Sequence, residues 1–438
     1  MQLLRTEGRN AKQAEARLVE LERRSGSALG TVLPAVRKIL RDIRDKGDPA
    51  LLKYASKFDS LAPKSSIRVT PGETEAAWQI LDPSLKQALE IAAANIRSFA
   101  ERQLPQSWNF SPAHPSVGGL ITGQLVRPLE GVGCYVPGGR HPLPSTMLMT
   151  VIPAQVAGVR RIAVTSPRPA PETLATAHLL GVTEFYRIGG AHAIGALAYG
   201  TQSISRVVKI VGPGNLYVTA AKREVALECA IDMLAGPTEI VITSDRGTPQ
   251  GIASDLIAQA EHDPDALAIF ITTDESLALA VIEEAERRSK ENSVAKQALK
   301  RNGYVFLVGS QEKARAITNR LAPEHLTVDS RADLEWIQNT GSVFIGSHTP
   351  QPMGDYISGP NHTLPTGGMA TLRGGLSVMD FVKLITVQEY SSKGLAALGP
   401  HAIRLAEAEG LAGHAEAIRT RIGESIKAPA KSKKRGKA

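Results

Sequence analysis

The fold class is decided between residues 161 and 215, where the chain reads Arg161-Ile-Ala-Val-Thr165, then Glu184-Phe-Tyr-Arg-Ile188, then Arg206-Val-Val-Lys-Ile-Val211. These short runs of β-branched and apolar residues are typical of buried strands, and segments with helical periodicity separate them. The alternation continues downstream, with strand-like runs at 239–243, 267–272, 304–308 and 342–345 and helical segments at 252–262, 275–290 and 311–321. Strands that alternate with helices predict parallel sheets covered on both faces, and hence an α/β fold.

The segments outside this α/β region carry helical patterns. Leu and Ala residues recur at three- and four-residue steps over 73–105, which predicts a helix there. Residues 1–30 are interpreted as a charged helical arm, and residues 376–425, where no strand pattern is evident, as a helical extension. Residues 426–438 form a basic tail.

Length and composition narrow the class of protein. A chain of 438 residues is long enough for two or more domains. It contains no apolar run long enough to cross a membrane, and its first residues lack the apolar core of a signal peptide. Two cysteines in so long a chain do not form a disulfide framework, so we expect a cytoplasmic protein without a membrane partner.

The net charge of +8 raises the question of nucleic-acid binding. Six of the positive charges lie at 427–437, so the rest of the chain carries a net charge of only +2. A tail of Lys, Ala, Ser, Gly and Pro buries too little apolar surface to fold, and we interpret it as disordered and solubilising. Weak binding to polyanions is the alternative, and we expect no specific nucleic-acid partner.

Three glycine-rich stretches are candidates for binding a nucleotide. They are Gly131-Val-Gly133-Cys-Tyr135-Val-Pro137-Gly138-Gly139, Ile188-Gly189-Gly190-Ala-His192 and Val211-Gly212-Pro213-Gly214-Asn215. Turns of this kind after strands bring backbone N–H groups against a phosphate at a helix N-terminus. None matches the G-x-G-x-x-G fingerprint, and each taken alone is also compatible with an ordinary tight turn.

Polar residues in four segments are candidates for chemistry. Gln259 and His262 are three residues apart and share one face of the helix predicted at 252–262. Glu324 and His325 are adjacent, and a carboxyl group beside an imidazole is suited to general acid–base catalysis. Asp355 lies in a polar loop over 354–365, where it is a candidate oxygen ligand for a metal.

A fourth candidate, His414, follows Gly413 in a small-residue break between two helices, where it could reach another surface. Each candidate also has a purely structural interpretation: a polar helix face, a solvated pair, a turn-capping aspartate or a buried, hydrogen-bonded histidine. Because no cysteine-rich or H-E-x-x-H motif is present, a metal would be held by nitrogen and oxygen ligands from distant segments.

Seven motifs taken together resemble the histidinol dehydrogenase family from about residue 30 to residue 425. In chain order they are Gly-Cys-Tyr-Val-Pro-Gly-Gly, Val-Gly-Pro-Gly-Asn, Ile-Asp-Met-Leu-Ala-Gly-Pro-Thr-Glu, Ala-Ser-Asp-Leu-Ile-Ala-Gln-Ala-Glu-His, Pro-Glu-His-Leu, Gly-Asp-Tyr-Ile-Ser-Gly-Pro-Asn-His-Thr-Leu-Pro-Thr and Glu-Gly-Leu-Ala-Gly-His. Seven ordered motifs are far more specific than any one of them.

The resemblance implies a homodimer of subunits with two incomplete Rossmann-like domains, and an arm and an extension exchanged between subunits. The first domain would comprise residues 31–134 and 238–375, and the second residues 135–237. The arm would be residues 1–30 and the dimerisation extension residues 376–425. Each active site would then contain residues from both subunits.

The resemblance further implies an enzyme that uses NAD and one zinc ion per subunit. Four residues match its zinc ligands: Gln259, His262, Asp355 and, from the other subunit, His414. Two match its catalytic residues, Glu324 as the acid that activates water and His325 as the general base. The substrate contacts match Thr238, Gln259, His262, His325, Asp355, Glu409 and His414. The NAD contacts match Tyr135, His192 and Asn215.

The implied reaction is oxidation of L-histidinol to L-histidine through L-histidinal, with two NAD⁺ reduced, as the last steps of histidine biosynthesis.

One departure from the family's pattern is His192, because the family usually has glutamine there and imidazole cannot donate and accept simultaneously as an amide does. A related zinc- and NAD-linked dehydrogenase acting on another polar alcohol, such as a sulfonated diol, remains an alternative, although the intact Gly-Asp-Tyr motif favours histidinol. A non-enzymatic nucleic-acid binder that uses the basic tail is a second alternative.

Overall fold

The computed structural model describes residues 1–24, 29–62, 65–112, 118–138 and 142–427. It confirms the α/β fold class, with two six-stranded sheets of Rossmann-like strand order. The strands are β1 Gln2–Arg5, β2 Arg68–Val69, β3 Trp108–Phe110, β4 Leu120–Pro128, β5 Gly131–Tyr135, β6 Arg161–Thr165, β7 Glu184–Tyr186, β8 Lys209–Val211, β9 Ala230–Ile231, β10 Glu239–Thr243, β11 Leu267–Thr272, β12 Gly303–Leu307, β13 His325–Val328, β14 Ser342–Ile345 and β15 Val382–Tyr390.

The helices are α1 Ala11–Glu22, α2 Leu29–Lys46, α3 Asp48–Phe58, α4 Pro71–Ile80, α5 Pro83–Gln103, α6 Pro144–Val156, α7 Pro171–Leu179, α8 Gly190–Tyr199, α9 Leu216–Val225, α10 Pro249–Ala260, α11 Glu275–Arg288, α12 Ser293–Asn302, α13 Gln311–Leu321, α14 Pro352–Tyr356, α15 Ser392–Ala408 and α16 Ala412–Lys427. The helix predicted over 73–105 is two helices, because Asp82 caps α5 immediately before Pro83. None of the helices in the described part of the chain combines the length and the apolar character needed to span a bilayer.

The first sheet has the order β1-β12-β11-β10-β13-β14, and all its strands are parallel. Its central strands β10 and β11 are buried along their whole length, because helices cover both faces of the sheet. Helices α10, α11 and α12 pack on one face, and α1 and α13 pack on the other. The strand order reverses between β10 and β13.

The second sheet has the order β2-β7-β6-β5-β8-β9, parallel except for β2. Helices α2, α3, α8 and α9 share one core with it. The strand order reverses between β5 and β8, and ligands of doubly wound sheets bind at such a reversal, beyond the carboxyl ends of the strands. Tyr135 ends β5 and Gly212 follows β8 at this point.

Three features differ from the sequence predictions in this α/β part. Residues 1–30 are not a purely helical arm: β1 pairs with β12 of the same chain, and α1 packs its apolar face on the first sheet. Helices α2 and α3 belong to the core of the second sheet, whereas we expected residues 31–134 to belong with the first. Gly131–Tyr135 is a buried strand rather than a turn, and its Gly133 leaves room for the Leu197 side chain of α8.

The chain divides into two compact units, one of Met1–Leu104 and Leu129–Phe381 and a second of Pro105–Pro128 and Val382–Ala438. The second unit contains the antiparallel sheet β15-β4-β3 and the paired helices α15 and α16. The prediction that 376–425 lacks a strand is wrong, because β15 pairs with β4 over nine residues from Val382 to Tyr390. The Val, Ile, Thr and Tyr residues of β15 favour a strand. The predicted disordered tail falls largely on residues 428–438, which lie outside the described residues.

Candidate active site

The candidate acid–base residues lie at the amino-terminal edge of the first sheet. Glu324 immediately precedes β13, His325 opens it, and Thr238 immediately precedes β10. Strands β10 and β13 are parallel neighbours, so both begin at the same edge. Ala322, in a left-handed conformation with φ of 45°, ends α13 and turns the chain into this edge.

Glu324 is buried, with 6% of its surface exposed. Its Oε2 accepts hydrogen bonds from Thr238 Oγ1 at 2.6 Å and from the Glu239 N–H at 2.8 Å. Burial raises the pKa of the Glu324 carboxyl well above its usual range, and the charges of Glu239 and Asp355 add to this effect. The two hydrogen bonds oppose the rise but do not cancel it. Glu324 is therefore a carboxyl group that holds a proton more tightly than an exposed glutamate does, as suits a residue in general acid–base catalysis.

His325 is oriented by one hydrogen bond. Its Nδ1 lies 3.0 Å from the carbonyl oxygen of Glu239, and because a carbonyl only accepts, Nδ1 carries the proton. The lone pair is then on Nε2, which lies 3.8 Å from Asp355 Oδ1. Burial lowers the pKa of His325, although the Asp355 charge opposes this effect, so the ring is neutral and Nε2 is available as a base.

Gln259 supplies the observation that bears on a metal. It lies in the last turn of α10, its Nε2 donates to Thr238 Oγ1, and its buried Oε1 has no hydrogen-bond partner among the residues that the structure describes. A buried amide oxygen without a partner is unfavourable unless another group occupies that position. In the described part of the chain no three His, Cys, Asp or Glu side chains are close enough to form a metal site by themselves. The Gln259 Oε1 atom is a further oxygen donor that a cation bound here could use.

The other two candidate ligands of this unit are Asp355 and His262. Asp355 is in the short helix α14 rather than in a loop, and its Oδ2 accepts from Gln351 Nε2 at 3.0 Å. His262 is exposed in the turn just after α10, and its charge lowers the pKa of both His325 and His362. Nitrogen and oxygen donors of this kind suit Zn²⁺, so the residues present fit the ion.

The sequence analysis did not single out two further residues, His362 and Asp255, that are linked to Asp355 or to its helix α14. His362 is half-buried, with Nδ1 2.8 Å from the main-chain oxygen of Asp355 and Nε2 3.4 Å from Thr146 Oγ1 of α6. Asp255 lies one turn before Gln259 on α10, and burial raises its pKa to about 6. The backbone of Gln351 bonds to Asp255, so Asp255 helps to fix α14. The sequence signal that could have identified His362 was the loop motif that it shares with Asp355. The signal for Asp255 was the helix face that it shares with Gln259.

Glu409 and His414 belong to the second compact unit. Glu409 caps the C-terminus of α15, and His414 lies in the first turn of α16. Both side chains are exposed in the single chain. The first unit thus brings Thr238, Gln259, Glu324, His325 and Asp355 into one network, with His262 close to it. Glu409 and His414 belong to the second unit and are not part of this network within the first unit.

The candidate cofactor residues lie at the carboxyl edge of the second sheet. The Tyr135 hydroxyl accepts a hydrogen bond from the Gly190 N–H at 3.1 Å, and burial raises its pKa to about 12. Asn215 caps α9, its Oδ1 accepting from the backbone at 3.0 and 3.2 Å. His192 is buried, and its Nε2 is bonded to Asp59 Oδ2 at 2.7 Å. The His192 imidazole is therefore already hydrogen-bonded inside the protein.

Doubly wound sheets are the architecture on which dinucleotides bind at a strand-order reversal, and a buried acid–base pair is suited to proton transfer, as in the dinucleotide-dependent oxidoreductases. The family model for histidinol dehydrogenase matches residues 22–422. The chain therefore belongs to the histidinol dehydrogenase family, whose members are NAD-dependent dehydrogenases.

Individual relatives agree with this assignment. The chain is 45% identical over 405 residues to histidinol dehydrogenase of Bacillus thuringiensis subsp. konkukian, covering 90% of this chain and 93% of that protein. It is 44% identical over 423 residues to histidinol dehydrogenase of Methanosarcina barkeri, covering 94% and 96%. The crystal structure of histidinol dehydrogenase from Elizabethkingia anophelis superposes with a TM-score of 0.90 at 35% identity, covering 98% of this chain and 99% of that one.

Proposed function

We propose that this chain oxidises L-histidinol to L-histidine through L-histidinal, reducing two NAD⁺, as a cytoplasmic homodimer that binds one zinc ion per subunit. The observation that carries the proposal is the pairing of two unlike proton-handling groups. His325 is neutral with a free Nε2, and Glu324 is a buried carboxyl group with a raised pKa. Oxidising an alcohol and then an aldehyde demands two different proton transfers, and this pair offers one group for each.

In the first oxidation, His325 Nε2 takes the proton of the substrate hydroxyl as the carbon gives up a hydride and the C=O bond forms. NAD supplies the hydride acceptor for each oxidation. The carbonyl oxygen of Glu239 holds Nδ1–H, so the ring keeps the same face toward the substrate. Asp355, 3.8 Å from Nε2, stabilises the imidazolium that results.

In the second oxidation, water must add to the aldehyde before another hydride can leave. The Glu324 carboxylate takes one proton from the attacking water as the new C–O bond forms, which leaves the negative charge on the former carbonyl oxygen. The hydrate anion then gives a hydride to the second NAD⁺ and its remaining hydroxyl proton to His325 Nε2. Thr238 and the Glu239 N–H fix the Oε2 atom of Glu324, which leaves Oε1 to face the water. The product is the carboxylate of histidine.

The zinc ligands in this proposal are Gln259, His262, Asp355 and His414 from the second subunit. When bound, zinc would hold the imidazole and amine of the substrate and so orient the carbon that reacts. The unpartnered Gln259 Oε1 supports this assignment. Thr238 and Glu409 would complete the substrate contacts, although the Thr238 hydroxyl already bonds to Glu324 and Gln259.

The NAD contacts in this proposal are Tyr135, the glycine turns at 189–190 and 212–214, and Asn215. Tyr135, the turn at 212–214 and Asn215 lie at the point where the strand order of the second sheet reverses, and the Gly190 N–H bonds to the Tyr135 hydroxyl. His192 would act through the turn that it supports rather than through contact with NAD, since its Nε2 is bonded to Asp59. Both cysteines are free and buried, which fits a reducing cytoplasm.

The test follows NADH formation by the purified protein with zinc, NAD⁺ and L-histidinol. We expect two NADH per histidinol, loss of activity after chelation, and recovery on adding zinc. His325→Ala should be inactive, whereas His348→Ala, which changes an exposed histidine of the same unit, should behave as wild type. Turnover of a sulfonated diol in preference to histidinol would contradict the proposed substrate, and full activity in verified metal-free protein would contradict the metal.

A further inference from the structure

A buried ion pair lies directly behind the acid–base pair. Arg24, which follows α1, donates from Nε to Glu239 Oε1 at 2.6 Å and from Nη2 to Glu239 Oε2 at 2.7 Å. Only 14% of the Arg24 side chain and 4% of the Glu239 side chain are exposed. Two parallel hydrogen bonds of this kind fix the angle between the partners as well as their distance.

Glu239 contacts both catalytic residues through its backbone. Its N–H donates to Glu324 Oε2 at 2.8 Å, and its carbonyl oxygen accepts from His325 Nδ1 at 3.0 Å. A rotation of this one peptide segment would move the carboxylate and the imidazole together. The orientation of both groups therefore depends on what holds Glu239 in place.

Arg24 also holds the segment that leads into Glu324. Its Nη2 donates to the main-chain oxygen of Leu321 at 2.8 Å, three residues before Glu324, and its Nη1 donates to Leu21 at 2.6 Å. The Gly367 N–H supplies one more hydrogen bond to Glu239 Oε1, at 2.8 Å. One guanidinium thus links the end of α1, the end of α13 and the start of β10.

We propose that Arg24 and Glu239 are positioning residues for the reaction: their ion pair holds the Glu239 peptide where it orients the Glu324 carboxylate and the His325 imidazole. The inference rests on the proposed function, because that function gives these two groups their roles. It also assigns the N-terminal segment a part in catalysis, since Arg24 belongs to that segment.

Two conservative variants test the pair. Arg24→Lys keeps the positive charge but replaces the two-pronged contact with a single ammonium group. Glu239→Gln keeps the shape of the side chain but removes its charge and turns an amide N–H toward an Arg24 donor. In both variants we expect kcat with histidinol to fall about tenfold or more, since small displacements of reacting groups are costly. The KM for NAD and the bound zinc should stay within about twofold, because the cofactor turns and the metal ligands do not contact this pair.

The matched control is Arg320→Lys. Arg320 also ties the N-terminal segment to α13, donating to Glu22 at 2.6 Å and to Glu15 at 2.8 Å, but it makes no hydrogen bond to Glu239. We expect its kcat to match wild type within about twofold. An equal fall in Arg320→Lys and Arg24→Lys would mean that only docking of α1 matters, and would overturn the proposal. So would unfolding of both pair variants under conditions where Arg320→Lys stays folded.

A second readout does not depend on turnover. ¹⁵N NMR of His325 in metal-free, substrate-free protein should show the Nδ1-protonated tautomer in wild type and a mixture of tautomers in Arg24→Lys and Glu239→Gln. An unchanged tautomer in both variants overturns the positioning role, whatever their turnover. If wild type fails to oxidise histidinol while the tautomer shifts as expected, the proposed function is wrong and the positioning role stands.

Discussion

Glu324 is deeply buried and accepts two hydrogen bonds on a single oxygen, and these two features act on its pKa in opposite directions. Thr238 and the Glu239 N–H both donate to Oε2 and favour the ionised form. Burial and the charges of Glu239 and Asp355 favour the protonated form, and they prevail. His325 shifts in the opposite direction because burial disfavours its charged form. The environment thus raises the pKa of the acid, Glu324, and lowers the pKa of the base, His325.

The first prediction separates the roles of these two residues. Glu324→Gln keeps the size and polarity of the side chain but removes the base that activates water. It should slow oxidation of histidinal by roughly 100-fold or more, and it should slow oxidation of histidinol far less. His325→Ala should slow both oxidations. Single-turnover measurements started from each substrate give the two rates, and an equal loss in both for Glu324→Gln would remove the water-activating role.

The second prediction concerns stability and pH. The pKa of Glu324 is raised in the folded protein, so protonation stabilises the fold below the unfolded-state pKa of about 4.3, and that contribution is lost as pH rises through the folded-state pKa. The amide side chain of Glu324→Gln does not ionise in this pH range, so it makes no such pH-dependent contribution. Its advantage over wild type in metal-free protein should therefore grow between pH 5 and pH 8, by about 1.4 kcal/mol for each unit by which the pKa is raised.

Thermal melting of both proteins at several pH values measures this advantage. The control is Glu283→Gln, which makes the same substitution at an exposed position of α11 and should show no growing difference. A Glu324→Gln advantage that stays constant from pH 5 to pH 8 would contradict the raised pKa.

At the scale of elements, buried hydrogen-bonded pairs support both turns of the candidate cofactor crevice. Asp59 accepts from His192 and from the Gly189 N–H, which holds the start of α8. Lys222 pairs with Asp232 and donates to the main-chain oxygen of Gly212 at 3.0 Å, while Asp232 Oδ2 accepts from the Gly212 N–H at 2.7 Å. Such pairs fix the shape of a turn that has no side chains of its own to pack.

The third prediction tests the second of these turns. Gly212 has φ of 111°, and a Cβ there would lie 2.1 Å from the Tyr135 carbonyl oxygen. Gly212→Ala should therefore move the end of β5, raise the KM for NAD about tenfold or more and lower the melting temperature. The control is Gly181→Ala, where φ is 63° but nothing lies within 4 Å of the added carbon. It should cost only about 1–2 kcal/mol of backbone strain and leave the KM unchanged. Equal KM values for NAD in both variants would show that this turn does not contribute to NAD binding.

At the scale of the whole molecule, two proposed site residues lie on a unit other than the one that holds the acid–base pair. Glu409 and His414 are exposed on the α15–α16 unit. That unit also exposes apolar side chains, among them Leu384, Ile385 and Leu405. Exposed apolar groups on one compact unit favour association, which supports the proposal of a dimer with shared sites.

The fourth prediction tests the sharing of sites by mixing subunits. His325→Ala and His414→Ala homodimers should each be nearly inactive. After unfolding and refolding together in equal amounts, half of the dimers should be mixed, and each of these should contain one intact site and one site with both lesions. About a quarter of all sites should therefore recover, by the symmetry of an exchanged dimer. No recovery, with mixed dimers confirmed by differently tagged chains, would place His414 in its own subunit's site or in none.

The sequence by itself determined the fold class and most of the strands. Runs such as Leu267–Thr272 are apolar up to their last residue, and a short apolar run predicts a buried strand without knowledge of its neighbours. The motifs also gave the family and the candidates Glu324, His325, Gln259 and Asp355. These follow from the sequence because the chemistry of a residue type and the order of motifs are both local properties of the chain.

Only the tertiary structure decided which residues surround those candidates. Arg24 and Glu239 are 215 positions apart and belong to no shared motif, yet they are bonded behind the acid–base pair. His192 and Asp59 are 133 positions apart, and their contact shows why the imidazole is not free. The strand β15 was missed for the same reason, because its pairing with β4 joins residues more than 250 positions apart. Packing between distant segments fixes these contacts, and no local pattern records them.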